Sequence, residues 1–424
     1  MRYVSTRGES PAATLSEAVE RGLAPDGGLY VPEAFPAFAP GDFDGAETLG
    51  QVAARLLAPF FAEDALEGAL GEICAEAFTF PVLLRDLRGG TAVLELFHGP
   101  TAAFKDVGAR FLAGVLSRIG GGDARPLTVL VATSGDTGGA VAAAFHGRPG
   151  VEVAVLFPAG KVSPRQEKQL TAWGGNVRAF AVRGDFDDCQ RLVKAAMADP
   201  ELRSERRLSS ANSINVGRLL PQAAYYAWAS REFERRHGAA PGFIVPTGNL
   251  GNAVAALWAR RMGLPVREVV LATNANPAVS AFVEGAPWQP HPTRATLATA
   301  MDVGAPSNIE RVLHLFGGEA EARGSLRAFR VDDDEIRRVI GEGPARWGEV
   351  WDPHTAVAVA ARERLVSTGW IVVSTAHPAK FEGVVEPLVG REVPVPPEFQ
   401  RLLDRPSHAE EIEPTLEALR AGLG

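Results

Sequence analysis

The chain has 424 residues, 46% of them hydrophobic and 22% charged, with a formal net charge of −8. That length can bury a large core and is expected to divide into two or three domains, while the acidic balance excludes the broad cationic surface of a nonspecific nucleic-acid binder. The two cysteines, Cys74 and Cys189, make neither a disulfide framework nor a metal-ligand spacing, and no stretch approaches the ~18 continuous apolar residues of a membrane helix. The opening MRYVSTRGESPAATL lacks the apolar core of a signal peptide, so a cytoplasmic protein without nucleic-acid or membrane partners is expected.

Residues 1–80 read as mainly helical, in SEAVERGLAP and AETLGQVAARLLAPFFAEDALEGALGEICAEAF, with turn-rich PDGGLYVPEAFP between them. From about residue 90 the rhythm changes to short apolar runs, Gly/Ser/Asn-rich turns and Ala-rich helical stretches. PLTVLVATSGDTGGAVAAAF reads as strand, loop, helix; VEVAVLFPAG is a further strand, with a helix in SPRQEKQLTAWG. VRAFAV precedes GDFDDCQRLVKAAMA, where Asp185 is placed to cap a helix. GFIVPTGNLGNAVAALWARRMGLP repeats the unit, REVVLATNAN adds a strand and WIVVSTAHPAKFEGVVEPL closes the series. Fully apolar strands alternating with helices indicate an α/β fold, with mostly parallel strands covered by helices on both faces. The expected division is a mainly helical N-terminal domain over 1–80 and a catalytic region over 81–424. The latter splits into a smaller α/β subdomain over about 95–220 and a larger one made of the remainder.

In a parallel sheet the strand-to-helix loops emerge at the carboxyl edge, where ligands of open α/β sheets bind. TSGDTGG (133–139), PTGNLGN (246–252) and STAHPAK (374–380) are therefore expected to share an edge or face one another across a cleft. PTGNLGN, with Gly248 and Gly251 ahead of a helix, is either an anion site of phosphate size or a tight turn that needs glycine. Neither GxxxxGK[ST] nor the dinucleotide GxGxxG spacing occurs. Thr133, Ser134 and Thr137 offer hydroxyls beside backbone N–H groups at a helix start, a cradle for a carboxylate. Capping of that helix accounts for one such polar residue but not for four in a row.

The chain contains five lysines and thirty-eight arginines, so arginine supplies its ordinary positive charge. A lysine at position 105 in HGPTAAFKDVGARFL is then a choice, because a desolvated ammonium can lose its proton and form a Schiff base whereas a guanidinium cannot. A reactive lysine with a phosphate-sized glycine loop points to pyridoxal 5'-phosphate. Lys161, in LFPAGKVSPRQEKQL, and Arg218, closing NSINVGR with Asn212 and Ser213, are either a second anion site or ordinary capping and surface charge. The eight histidines form no HExxH pair, and His98 and His377 read as loop hydrogen-bonders.

These segments follow one another through almost the whole chain, together with GLAPDGGLYVP, ATNANPAV, ATLATAMDVGAPSNIERV and DPHTAVA. In that order the chain resembles the threonine synthases, enzymes dependent on pyridoxal 5'-phosphate in the fold group of the tryptophan synthase β subunit. It is most similar to their longer form with a separate N-terminal domain, and the resemblance implies an α/β fold of two mostly parallel open sheets flanked by helices around the cofactor cleft, plus a mainly helical N-terminal domain. The resemblance implies that Lys105 carries the cofactor and that Gly248, Asn249, Leu250, Gly251 and Asn252 hold its phosphate. It places Asp136 near the ring hydroxyl, where shorter members have Asn, and Thr375 opposite the pyridine nitrogen, a neutral partner that makes the ring a weaker electron sink. The implied reaction is O-phospho-L-homoserine plus water giving L-threonine and phosphate. Thr133, Ser134 and Thr137 would hold the substrate carboxylate, and Lys161, Asn212, Ser213 and Arg218 its phosphate. Two related chemistries share these features: a phospho-lyase returning 2-oxobutyrate, and a dehydratase acting on free threonine or serine. The N-terminal helices are expected to lean over the cleft and exclude water, in a monomer or homodimer.

Overall fold

The structure is a computed structural model that describes residues 1–119, 125–133 and 135–424. At the N-terminus β1 (Tyr3–Ser5) pairs antiparallel with β2 (Tyr30–Pro32). The helix Leu49–Phe61 starts with a capping box between Thr48 and Gln51, and its residues Leu49, Val52, Ala53, Leu56, Leu57, Phe60 and Phe61 are buried. That spacing makes one apolar stripe, which packs on the helix Ala223–His237 of the following region. The next helix, Leu70–Ala77, packs in the same way on the helix Lys105–Leu116.

Among the described residues eleven further strands follow: β3 (Leu83–Leu87), β4 (Thr91–Glu95), β5 (Leu127–Ala132), β6 (Val151–Pro158), β7 (Val177–Val182) and β8 (Arg207–Ser210). After them come β9 (Gly242–Pro246), β10 (Glu268–Thr273), β11 (Arg327–Arg330), β12 (Trp370–Ser374) and β13 (Glu410–Ile412). They form a six-stranded sheet in the order β11-β10-β9-β12-β4-β3 and a five-stranded sheet in the order β13-β7-β6-β5-β8. All pairings are parallel except β3 with β4 at one edge. Every residue of β5, β9 and β12 is buried, as strands covered by helices on both faces must be. The expected two-sheet α/β architecture is the one observed.

Each sheet reverses its strand order once. In the smaller sheet β6 and β7 lie on one side of β5 and β8 on the other; in the larger, β10 and β11 lie on one side of β9 and β12 on the other. A crevice opens at such a reversal, at the carboxyl ends of the central strands. The loops after β5 and β8 and those after β9 and β12 start there, and all four contribute to a single cleft.

Two features differ from the sequence reading. The N-terminal region carries the β1–β2 pair as well as helices. The C-terminal segment, assigned by sequence to the larger subdomain, returns to the smaller sheet: β13 adds to β7 with Glu410 opposite Phe180, and the helix Leu416–Leu423 packs on the helix Phe186–Ala198. A three-residue strand reading Glu-Glu-Ile has no apolar alternation by which to announce itself.

Candidate active site

Lys105 is the first residue of its helix, and the strand-like segment before it is clamped to the loop after β12. Phe104 N–H donates to Thr375 O at 2.9 Å, His377 N–H donates to Ala102 O at 3.0 Å, and Ala103 bridges Ala376. Ala102 itself has φ of 53°, and Leu250, in the glycine loop, has φ of 62°. Left-handed backbone is costly for residues with a Cβ, and two of the three described instances flank this cleft. The helix of Lys105 lies close to the Arg218 segment because residue 108 is glycine: a Cβ there would stand 2.4 Å from Arg218 O.

The cleft has a volume of about 480 Å³. Lys105, Thr375 and His354 line it together with the loops at 133–137, 210–218 and 246–252. Its remaining wall comes from Phe186, Asp187, Gln190 and Lys194 on one helix and from the segment 291–307. That helix starts where the sequence places it, with Asp185 accepting from Asp188 N–H at 2.9 Å. Among the described residues no hydrogen-bond or ion-pair partner meets the Lys105 amine; the Phe104 ring lies 5.7 Å from it. Burial, opposed by Asp136 and reinforced by Lys380 and Arg218, pulls its pKa down from 10.5 to about 8. It is therefore a lysine that can shed its proton near neutral pH.

Asp136 opens the helix Asp136–Phe145, as expected from the TSGDTGG loop, but its setting is new. Its Oδ1 meets the ammonium of Lys380 at 2.7 Å and accepts from Gln166 Nε2 at 3.1 Å. Lys380 is fully buried and also donates to Thr101 O at 2.7 Å. Burial alone would raise the Asp136 carboxyl, yet the charges of Lys380 and Lys105 outweigh it and hold the group well below the usual carboxylate range. Lys380 lies within TAHPAKF and is not among the site residues expected from the sequence. The scarcity of lysine that marked position 105 was the available signal.

The glycine loop has the form of an anion cradle. A Cβ on Gly248 would stand 2.6 Å from Met301 Cα, so only glycine fits this approach. Leu250 is the N-cap of the helix Gly251–Arg261, whose first N–H groups have no partner within the helix. The Asn252 Oδ1 accepts from the Tyr226 hydroxyl at 2.9 Å and also meets Tyr225, which turns its amide nitrogen the other way. That nitrogen is buried and has no hydrogen-bond partner among the described residues. A buried donor without an acceptor, beside a helix N-terminus, fits a bound phosphate.

A second cradle adjoins the first. Asn212, Ser213 and Arg218 all line the cleft, and Asn249 Nδ2 donates to Ser213 Oγ at 2.7 Å, tying the two loops together. Arg218 is buried and donates through Nη1 to Ala211 O, while its Nε has no partner among the described residues. Burial lowers its pKa to about 10, so it stays cationic at neutral pH. Behind Thr375, its N–H reaches Thr355 Oγ1 at 3.3 Å; Thr355 in turn bonds Asp352, which accepts from His354 Nδ1 at 2.9 Å. His354 Nε2 accepts from Ala300 N–H at 3.1 Å, so DPHTAVA braces both the Thr375 loop and the wall at 300–305.

Not every expected residue reaches the cleft. Lys161 is exposed after β6 and does not line it; the exposed cation on its wall is Lys194 instead. Thr133 lines the cleft, but its hydroxyl accepts from Gly135 and Gly138 N–H at 2.9 Å each and donates to Gly135 O, so it builds the loop rather than presenting a free group. Thr137 lines the cleft, and Ser134 lies outside the described residues. The N-terminal helices do not roof the cleft: no residue of 1–80 lines it, because their apolar faces are spent on the helices behind it.

Three family descriptions match the chain: "Threonine synthase N terminus" over residues 2–78, "Pyridoxal-phosphate dependent enzyme" over 88–373 and "Threonine synthase, C-terminal" over 355–422. The threonine synthase of Serratia marcescens is 40% identical over 93% of this chain and 92% of its own. That of Escherichia coli (strain K12) is 39% identical over 99% of this chain and 98% of its own. The crystal structure of threonine synthase from Escherichia coli superposes with a TM-score of 0.92 at 38% identity, covering 100% of this chain and 99% of that one. A PLP-bound threonine synthase from Brucella melitensis gives 0.91 at 35% identity, covering 100% and 98%.

Proposed function

The chain belongs to the threonine synthase family, lyases of threonine biosynthesis that depend on pyridoxal phosphate, and from that premise we propose that it converts O-phospho-L-homoserine and water to L-threonine and phosphate. The observation that carries this reading is one cleft in which a desolvated amine, Lys105, with its pKa drawn down to about 8, lies with two adjoining anion cradles. A cofactor phosphate needs one cradle and a phosphorylated substrate the other; a dehydratase of free amino acids has no use for the second.

On this reading Lys105 holds the cofactor, Gly248, Asn249, Leu250, Gly251 and Asn252 receive its phosphate, Asp136 stands by its ring hydroxyl and Thr375 by its ring nitrogen. When bound, pyridoxal phosphate supplies the electron sink for charge developing at the substrate's Cα. The Lys105 amine, neutral above about pH 8, moves protons at the substrate's Cα and Cβ. The buried Asp136–Lys380 pair keeps a fixed charge pattern beside that amine without solvent reorganisation. Arg218, with its unpartnered Nε, acts with Asn212 and Ser213 to hold the phosphate group as it leaves Cγ and to retain it while water adds at Cβ. Thr137 and the N–H groups at the start of the helix Asp136–Phe145 that precede Gly138, whose own N–H goes to Thr133, take the substrate carboxylate.

Product analysis with O-phospho-L-homoserine tests the proposal. Threonine and phosphate in equal amounts are expected; accumulation of 2-oxobutyrate would assign the phospho-lyase reaction instead, and turnover of free threonine or serine the dehydratase. Arg218→Ala is expected to raise KM by roughly tenfold to a hundredfold, the loss of a hydrogen bond to a charged group. The same reading makes this a cytoplasmic enzyme, monomer or homodimer; among the described residues no helix is long and apolar enough to cross a membrane.

A further inference from the structure

The N-terminal domain supplies nothing to the cleft surface, yet it is tied to the back of the wall, at Glu310 by Thr6 and Arg7 and, through Tyr30, by the guanidinium of Arg311. Arg311, on the helix Ile309–Phe316, is fully buried and faces no carboxylate partner among the described residues. Its five N–H groups are all used. Nε and Nη2 donate to Tyr30 O of β2 at 3.1 and 3.0 Å, Nη1 to Ser213 O at 3.0 Å and Asn308 Oδ1 at 2.6 Å, and Nη2 also to Ile214 O at 2.6 Å. Burying a guanidinium among carbonyls alone is costly, and a purely apolar side chain would seal such a junction more cheaply.

What the arginine gains is geometry. Ser213 and Ile214 line the cleft on their other side. Asn308, oriented by Arg311, donates to Ser213 Oγ at 3.3 Å, and the same hydroxyl oxygen accepts from Asn249 of the glycine loop at 2.7 Å. Asn249 is held in turn by Ser307 N–H at 2.6 Å. A planar fork of fixed donors sets the carbonyls of Tyr30, Ser213 and Ile214 at one separation, which a flexible ammonium cannot do. A second tie runs parallel to it: Asn215 Nδ2 donates to Val19 O at 2.9 Å.

We propose that Arg311 is a positioning residue through which the N-terminal domain sets Ser213 and Asn249 against each other, and so fixes the spacing between the cofactor-phosphate cradle and the substrate-phosphate cradle. The second half of that statement rests on the functional reading above; the first, the placing of Asn249, does not.

The test compares full-length holoenzymes: the parent, Arg311→Lys, and Arg207→Met as a control. Arg207 also ties the N-terminal domain to the catalytic region, through Glu20 at 2.5 Å, but touches no cleft residue. Arg207→Met is expected to lower Tm and leave every binding constant within about twofold. Arg311→Lys is expected to raise the KM for O-phospho-L-homoserine and the inhibition constant of inorganic phosphate about tenfold, and the PLP dissociation constant by a similar factor, with kcat less affected. A folded Arg311→Lys whose Tm falls like the control's while all three constants stay within about twofold overturns the inference. Should Arg311→Lys not fold, Asn308→Ala is read by the same constants. If inorganic phosphate fails to inhibit even the parent and Ser213→Ala leaves KM unchanged, the substrate-phosphate reading is what has failed. The PLP constant alone then decides: a rise supports Arg311 as the positioning residue, and no change overturns it.

Discussion

Replacing Lys380 by methionine removes one buried charge and keeps nearly the same volume. Of the two oxygens its ammonium meets, Thr101 O stays satisfied, since Gln169 Nε2 also donates to it at 2.9 Å. Asp136 is left as a buried carboxylate with Gln166 Nε2 at 3.1 Å and the nearby Lys105. Breaking one side of a buried pair costs about 3 kcal/mol, less whatever Lys105 restores by drawing closer in charge to Asp136. That compensation has its own signature. Lys105 loses the repulsion of Lys380 and gains the undivided attraction of Asp136, so its pKa moves upward from about 8. An altered charge interaction of about 1.4 kcal/mol shifts it by about one pH unit. Only a neutral amine adds to an aldehyde, so the rate of PLP capture by apoprotein against pH reports this value directly. The half-point is expected near 8 in the parent and about one unit higher in Lys380→Met, alongside the stability loss in urea. In Lys380→Met/Asp136→Asn both effects should largely reverse, because no charge is left unpaired. A half-point that stays or falls in the single variant, or a double variant no more stable than the single, would refute the reasoning.

Two further expectations follow from the same geometry. Gly248→Ala places a Cβ 2.6 Å from Met301 Cα and 2.7 Å from its carbonyl oxygen, an overpacking of roughly 1–3 kcal/mol that should appear as weakened PLP affinity in equilibrium dialysis; affinity within about twofold of the parent would mean that the loop does not hold the cofactor. In apoprotein, Lys105 has a folded-state pKa of about 8 against an ordinary 10.5, so between those values the unfolded chain binds the extra proton and the contribution of this one group to stability rises with pH, by about 3 kcal/mol. Below 8 both states are protonated and the contribution is constant; Cys74 and Cys189, whose thiols burial pushes up to about 12, act in the opposite direction above pH 9 in parent and variant alike, so the quantity to read is the stability of the parent minus that of Lys105→Met in urea unfolding series, which should rise with pH from 8 to 10.5, and a flat difference contradicts a desolvated amine.

The parts legible in the sequence are those whose signal is local. Apolar strands alternating with capped helices marked both sheets, and the loops after β5, β9 and β12 carried their glycines and hydroxyls in plain view. Lys105 stood out because the chain otherwise uses arginine. Lys380 had the same mark, but its meaning depends on Asp136, far away in sequence, and no spacing rule pairs them. Thr133 shows the converse: its residue type fits a ligand cradle, and only the backbone path reveals that its hydroxyl turns inward to Gly135 and Gly138. The exposure of Lys161 and the cleft-facing position of Lys194 depend on how far each loop and helix projects beyond its strand, which periodicity does not encode. Arg311 sits in ATLATAMDVGAPSNIERV, and nothing local distinguishes it from a surface arginine.

The central claim is that one amine, and not its buried neighbour, carries the cofactor. Borohydride reduction of PLP-loaded protein followed by peptide mapping tests it most directly, since Lys105 and Lys380 lie on different peptides. A single modified residue, Lys105, is predicted. Label on Lys380, label spread over surface lysines, or no covalent label at all would contradict the account.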